Sequence, residues 1–196
     1  MPARRTRLVA GVGAGLAVGA LSSIGRSHLD GTLEAFANST STWLVAPFLI
    51  GTLAATRREA AVAGFAACAS QLAGYYVVDS LQGIGTTGSL IAFWTLCAIV
   101  GGPVFGAAGH LWRTAGPRFN GLGIAALAGV FMAEGAYAYV HQQHHYLTAA
   151  VWIGIGIAFA AWSSRGRVEQ LRWLGLTVPL GISGEIALTH VLHRFF

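Results

Sequence analysis

An all-α, polytopic integral membrane bundle of about seven transmembrane helices is the fold class this sequence predicts, with a cytoplasmic N-terminus and an extracellular C-terminus. Three observations predict it. The first is composition: of 196 residues, 55% are hydrophobic and only 10% charged, where a soluble domain carries about 25% charged residues. The 27 glycines suit transmembrane helices, because small residues let helices approach closely. The second is patterning, in which apolar runs alternate with short polar breaks. The third is the placement of the arginines. With seven spans and the N-terminus inside, the cytoplasmic segments hold Arg4, Arg5, Arg7, Arg57, Arg58, Arg113, Arg118, Arg165, Arg167 and Arg172, and the outer segments hold Arg26 and Arg194. That is a strong positive-inside bias. Dropping any one span reverses every later loop and destroys it.

The elements follow in order. Residues 1–7 form a basic cap, and the first span runs from Leu8 to about Gly25. A basic region before an apolar run also fits a signal peptide, with Val18-Gly19-Ala20 as a cleavage site. Against this, Gly11, Gly15 and Gly19 form a small-residue stripe at four-residue spacing, as a packed first helix requires. The stripe packs within the protein's own bundle or docks a partner membrane protein or a second copy. Residues 26–42 are the longest polar connection, in which Asn38, Ser39 and Ser41 are candidate caps for the next helix. The second span covers about Trp43–Thr56, and Arg57-Arg58-Glu59 reads as a tight loop. The third span covers Ala60–Val78. The fourth covers Leu90–Trp112, interrupted at Gly101-Gly102-Pro103, where proline breaks or kinks a helix. The fifth starts at Gly121, the sixth covers Leu147–Trp162, and the seventh covers Trp173–Leu192 after a basic loop from Arg165 to Arg172. The second and sixth are short beside the roughly 20 residues a bilayer needs. Residues 1–196 read as a single transmembrane helical domain, with the lipid bilayer as its main partner.

The net charge of +5 could suggest nucleic acid, but the basic residues sit in the breaks between spans rather than on one face, so no nucleic-acid partner is expected. Cys68 and Cys97 fall within apolar runs and read as small buried hydrophobes.

Topology sorts the polar residues. His28, His141, His144, His145, His190 and His193 fall on the outer side, and His110 on the inner. Glu134 and Glu185 lie inside apolar runs, where a charge is costly enough to be a functional hypothesis by default. Glu134 precedes His141 by seven residues, about two α-helical turns, which predicts a shared face. Asp79 sits at the outer end of the third span. These observations predict a cavity open to the outside, with Glu134 and Glu185 at its floor and Tyr75, Tyr76, Asp79, Asn38, Trp43 and His141 as further ligand-binding candidates. The plain alternative makes the histidines interfacial loop residues and has the glutamates hydrogen-bond across helices. His141-x-x-His144-His145 and His190-x-x-His193 have metal-ligand spacing, but loop histidine clusters are common, and the metal question stays open. No cofactor is indicated. No G-x-S-x-G, no Cys beside a base and no βαβ setting for Gly11-Val12-Gly13-Ala14-Gly15 is present, and no catalytic residue can be named.

The stretches Gly19-Ala20-Leu21-Ser22-Ser23, Ala37-Asn38-Ser39 with Ser41 and Trp43, Gly74-Tyr75-Tyr76, Gly102-Pro103-Val104-Phe105-Gly106 and Ala133-Glu134-Gly135 resemble an uncharacterised actinobacterial family of small multi-pass membrane proteins, a domain of unknown function. The resemblance implies a bacterial plasma membrane and brings no activity with it. Abundant Ala, Gly and Arg without Lys is what a GC-rich genome gives. A looser architectural likeness is to the substrate-binding subunits of energy-coupling-factor vitamin transporters. There a small-residue stripe lies on the first helix, the first outer loop is a lid and the site is near the outer face. Those proteins have six helices and an inner C-terminus, against seven and an outer one expected here.

Three functions compete. In the first, a small solute or cation is bound or transported through the outward cavity. In the second, an intramembrane enzyme uses Glu134 and Glu185 on an apolar substrate, since an acid held away from water keeps a proton to deliver. The third is a membrane assembly protein without small-molecule chemistry, acting through Gly11, Gly15 and Gly19.

Overall fold

The computed structural model describes residues 2–162 and 167–195; Arg165, placed in the basic loop above, lies outside them. Every regular element among the described residues is helical: α1 (Pro2–His28), α2 (Gly31–Asn38), α3 (Thr40–Thr52), α4 (Arg57–Leu81), α5 (Gly88–Thr114), a short 3-10 turn (Pro117–Phe119), α6 (Leu122–Glu134), a π-helix (Gly135–Gln142), α7 (Tyr146–Trp162) and α8 (Arg167–Phe195). They form two compact units, Met1–Arg113 and Thr114–Phe196.

Unit 1 is held together at glycines. A Cβ at Gly19 would lie 2.7 Å from the Gln71 carbonyl carbon and 2.9 Å from Tyr75 N, and Gly15 meets the Ala67 carbonyl in the same way. Pairing Gly15 with Ala67 and Gly19 with Gln71 makes α1 and α4 parallel. The glycine stripe therefore packs inside the chain: Gly11 faces Ile50 and Ala63. Helix α3 runs the opposite way, with Trp43 beside Gln71 and Ile50 near the level of Ala63. Helix α5 is antiparallel to α4, Gly102 and Gly106 meeting Gly64 and Ala60. It approaches α3 where Gly109 faces Phe48 and Thr52. At that end His110 and Arg113 both reach the Ala54 carbonyl, at 3.2 and 2.9 Å. One end of unit 1 thus carries Arg57, Arg58 and Arg113, and the other carries Arg26, Asn38 and Asp79.

In unit 2, α6 and α8 are parallel. Gly121 faces Gln170, Gly129 faces Thr177 and Gly181 faces Ala133, and the Thr177 hydroxyl donates to the Ala125 carbonyl at 2.9 Å. Helix α7 runs antiparallel, with Gly156 against Met132 and Gly135 against Trp152. The fully buried Trp152 packs edge-on to Tyr139.

Among the described residues, five helical segments are long and apolar enough to cross a membrane: Leu8–His28, Arg57–Leu81, Gly88–Thr114, Pro117–Gln142 and Gln170–Leu192. The two shortest expected spans are the two left out. Helix α7 has 17 residues and α3 has 13, about 20 Å of helix beside a hydrocarbon core of about 30 Å. Large apolar side chains face outward along α1, α5 and α8, among them Val9, Leu21, Leu96, Val100, Leu171 and Leu180, as in a protein whose solvent is lipid.

Several boundaries differ from expectation. The basic cap is helical from Pro2, and the loop expected from Arg165 to Arg172 is helical from Arg167. The polar connection after α1 contains a helix, α2. Arg57-Arg58-Glu59 is the first turn of α4 rather than a loop, because the Thr56 side chain caps it by accepting from Glu59 N at 3.2 Å while Glu59 accepts from Ala55 N at 3.2 Å. Helix α5 continues through Gly101-Gly102-Pro103 without interruption. Proline costs one backbone bond and a clash with the preceding turn, and here the surrounding glycines carry the contacts with α4 that hold the helix in place.

Candidate functional site

The end of unit 1 away from Arg57 and Arg58 contains a cavity of about 300 Å³, the size at which small-molecule sites begin. Two helix walls define it. From α4 come Cys68, Leu72, Tyr75, Tyr76 and Asp79, and from α5 come Leu90, Trp94, Cys97, Ala98 and Gly101. Both sets step by 4, 3, 1 and 3 residues, which puts each on one helical face. Cys68, Leu72 and Ala98 form the buried floor, against which Trp43, Tyr76 and Trp94 pack.

The third wall is the break between α2 and α3, at Asn38, Ser39 and Thr40. Non-helical backbone at membrane depth is tolerated only where protein or a cavity satisfies it, and here side chains do so. Ser39 caps α3, its hydroxyl accepting from Thr42 N at 3.4 Å and lying 3.0 Å from the Ser41 hydroxyl. The last carbonyls of α2 receive donors from α3: Thr42 Oγ1 to Phe36 O at 2.9 Å and Trp43 Nε1 to Ala37 O at 3.3 Å. Gln71 Nε2 donates to the Trp43 carbonyl at 3.1 Å, tying the break to α4. Gln71 is fully buried, and its Oε1 has no protein partner.

The polar rim is built around Asp79, which is 2% exposed. Ser23 Oγ donates to one carboxylate oxygen at 2.7 Å and Arg26 to the other at 3.3 Å. The guanidinium of Arg26 also lies 5.5 Å from the centre of the Tyr75 ring. Tyr75 meets Trp43 edge-on at 5.3 Å and Tyr76 at 5.5 Å. Arg26 is 33% exposed and Asp79 buried; a buried carboxylate is stabilised only when its hydrogen-bonding capacity is met, and Ser23 contributes to that.

Five of the eight sequence-predicted ligand residues, namely Asn38, Trp43, Tyr75, Tyr76 and Asp79, line this one cavity. The other three belong to unit 2. Glu134 and Glu185 are both buried and lie within electrostatic reach of each other. His141 is exposed and packs on Tyr137 at 5.4 Å. The expected stacking of His141 over Glu134 does not occur, because the chain enters a π-helix at Gly135. Its bonds run from i to i+5, so the residue above Glu134 is Tyr139, whose hydroxyl lies 3.5 Å from Glu134 Oε1. Among the described residues no three His, Cys, Asp or Glu side chains gather as a metal site.

Ser39 caps α3 as the sequence suggested; sequence reasoning missed Ser23, Arg26, Trp94, Cys97 and Ala98 as participants. The repeated spacing on α4 and α5 is the signal that could have found the last three.

An aromatic-lined cavity of small-molecule size, among described residues that include five helices apolar enough to span a bilayer, defines the class: a helical protein of multi-pass membrane type with an internal cavity. The chain belongs to a family of unknown function (DUF6518), whose model matches residues 2–193. No curated protein and no solved structure matches it.

Proposed function

We propose that this chain is a multi-pass protein of a bacterial plasma membrane that binds a small organic solute from the outer face in the unit-1 cavity, as the recognition part of an uptake system. The observation that carries the reading is the cavity itself, preformed at a helix break and walled by Trp43, Tyr75, Tyr76 and Trp94. Seven spans, with α3 and α7 as the short ones, agree with the alternating directions of α1, α3, α4 and α5 and of α6, α7 and α8. Positive residues favour the cytoplasm, so the Arg57, Arg58 and Arg113 end is the inner one. The N-terminus is then cytoplasmic and the cavity opens outward; in unit 2 the same rule makes the Arg118 and Arg172 end the inner one, which puts the C-terminus outside.

Native mass spectrometry of the gently solubilised protein tests this, wild type beside Ala98→Phe. Ala98 is buried on the cavity floor, and the added ring fills the space. The expected result is a co-purifying or added organic species carried by the wild type and lost in a variant whose thermal unfolding is unchanged. Absence of any adduct in the wild type, even after incubation with extract of the source cells, refutes it.

The acid-chemistry reading retains one specific support, the neighbouring buried carboxyls of Glu134 and Glu185. Glu134→Gln separates the two. It leaves solute binding in unit 1 intact under the proposal and abolishes turnover of an apolar substrate under the alternative.

A further inference from the structure

We infer that the unit-1 cavity selects a flat aromatic solute without net charge that carries a hydrogen-bond acceptor at one end, an inference that rests on reading the cavity as a solute site. Charge gives the first part. Arg26 and Asp79 are the charged residues lining the cavity, and they are paired with each other. Each Asp79 oxygen already holds a donor. A cationic ligand would have to share Asp79 with Arg26 and be repelled by it. An anionic one would have to draw Arg26 away and then sit beside a buried carboxylate. Asp79 is buried, and leaving a buried carboxylate without its cation is heavily penalised. A ligand with no net charge disturbs neither group.

Shape gives the second part. Trp43 and Tyr76 from one side and Trp94 from the other pack on the same apolar floor. Aromatic faces and edges favour a flat π-system over a saturated ring of equal size. The third part is polarity. At the rim Asn38, Thr40 and Thr86 belong to the lining, and their amide and hydroxyl side chains can donate hydrogen bonds. A carbonyl or similar acceptor meets these donors.

The test uses full-length protein in lipid nanodiscs and four probes of nearly one shape: 2-naphthamide, 2-naphthoate, 2-naphthylmethylammonium and decalin-2-carboxamide. Binding of the naphthyl probes is read by energy transfer from tryptophan, with Ala98→Phe as the blocked control. The decalin is read by its competition with naphthamide. The expected result is naphthamide binding at least tenfold tighter than the other three. Asp79→Asn should shift the preference to naphthoate and Arg26→Gln to the ammonium. A folded form of either variant suffices, since a merely structural role predicts no reversal of charge preference. Naphthoate or the ammonium binding wild type as well as naphthamide overturns the charge argument. Equal binding of the decalin overturns the aromatic one. If no probe binds, the inferred ligand class is wrong, and an adduct in the native mass spectrum of the same preparation shows whether the solute site itself survives.

Discussion

Gly19→Ala is the sharpest test of how unit 1 holds its cavity. At Gly19 the added methyl carbon would lie 2.7 Å from the Gln71 carbonyl carbon and 2.9 Å from Tyr75 N, against an ordinary separation of about 3.5–4.0 Å. Both obstacles are helix backbone, so no rotamer relieves them. Helix α1 must move off α4 by roughly 1 Å at this crossing, and overpacking of this kind costs about 1–3 kcal/mol. The displacement also reaches the site. One turn further along α1 lies Ser23, and Arg26 follows; both hold Asp79. The control is Gly13→Ala, where nothing lies within 4 Å. There the same methyl group should stabilise the exposed helix by up to about 1 kcal/mol. Thermal unfolding in detergent, followed by the reactivity of the buried thiol of Cys68, reads both variants. Gly19→Ala should melt lower than wild type and bind solute more weakly, while Gly13→Ala does neither. Equal melting of the two variants would refute the close α1–α4 contact and the cavity geometry that depends on it.

Three more outcomes follow from single contacts. Ser23→Ala removes the 2.7 Å bond to buried Asp79 and should cost about 1–3 kcal/mol in denaturant unfolding, whereas Ser27→Ala, which loses an exposed bond to Gln82, should cost far less. Thr56→Ala removes the cap of α4 and should lower stability by about 1 kcal/mol, measured in the same way, with the unit-1 solute affinity unchanged because the cap lies at the opposite end. Tyr139→Phe should move the Glu134 carboxyl stretch in infrared difference spectra while His141→Ala leaves it in place; the reverse result would mean that the segment after Glu134 is an ordinary α-helix.

The sequence carried the all-helical membrane-type class and five residues of the cavity lining, but not its floor, which it assigned to Glu134 and Glu185 and which is formed by Cys68, Leu72 and Ala98; the reasons are physical. Tyr75, Tyr76 and Asp79 are polar or amphipathic groups at the end of an apolar run, where they need a local reason to be present. Asn38 and Trp43 flank a polar connection for the same reason. Other features leave weaker traces. Thr56-x-x-Glu59 is a helix-start signal that outweighs the loop suggested by two adjacent arginines. Helix α2 hides in residues 26–42 because eight residues with one buried position give almost no periodicity. The π-helix has no sequence signature, so a face argument built on 3.6 residues per turn fails beyond Glu134. Arg26 was counted with the outer loop, and its partner 53 positions away becomes visible only when α1 and α4 run parallel.

The break between α2 and α3 decides whether the cavity is a stable feature or a momentary gap. A frayed helix end would leave its carbonyls to water. Here Phe36 O and Ala37 O are met by the side chains of Thr42 and Trp43, residues of the helix that follows. The start of α3 is capped by Ser39, and Gln71 fixes the same turn from α4. Each of these bonds crosses the break or anchors it, so closing α2 and α3 into one continuous helix would sacrifice the cap and both cross-break bonds at once. The interruption is therefore built into Ala37-Asn38-Ser39-Thr40-Ser41-Thr42-Trp43, and Trp43, the residue that bonds back to α2, is also the ring that meets Tyr75. The side chains that terminate the helix and those that line the cavity are in part the same, so the lining is held in place by the fold itself, and under the proposed function little ordering cost opposes its occupation.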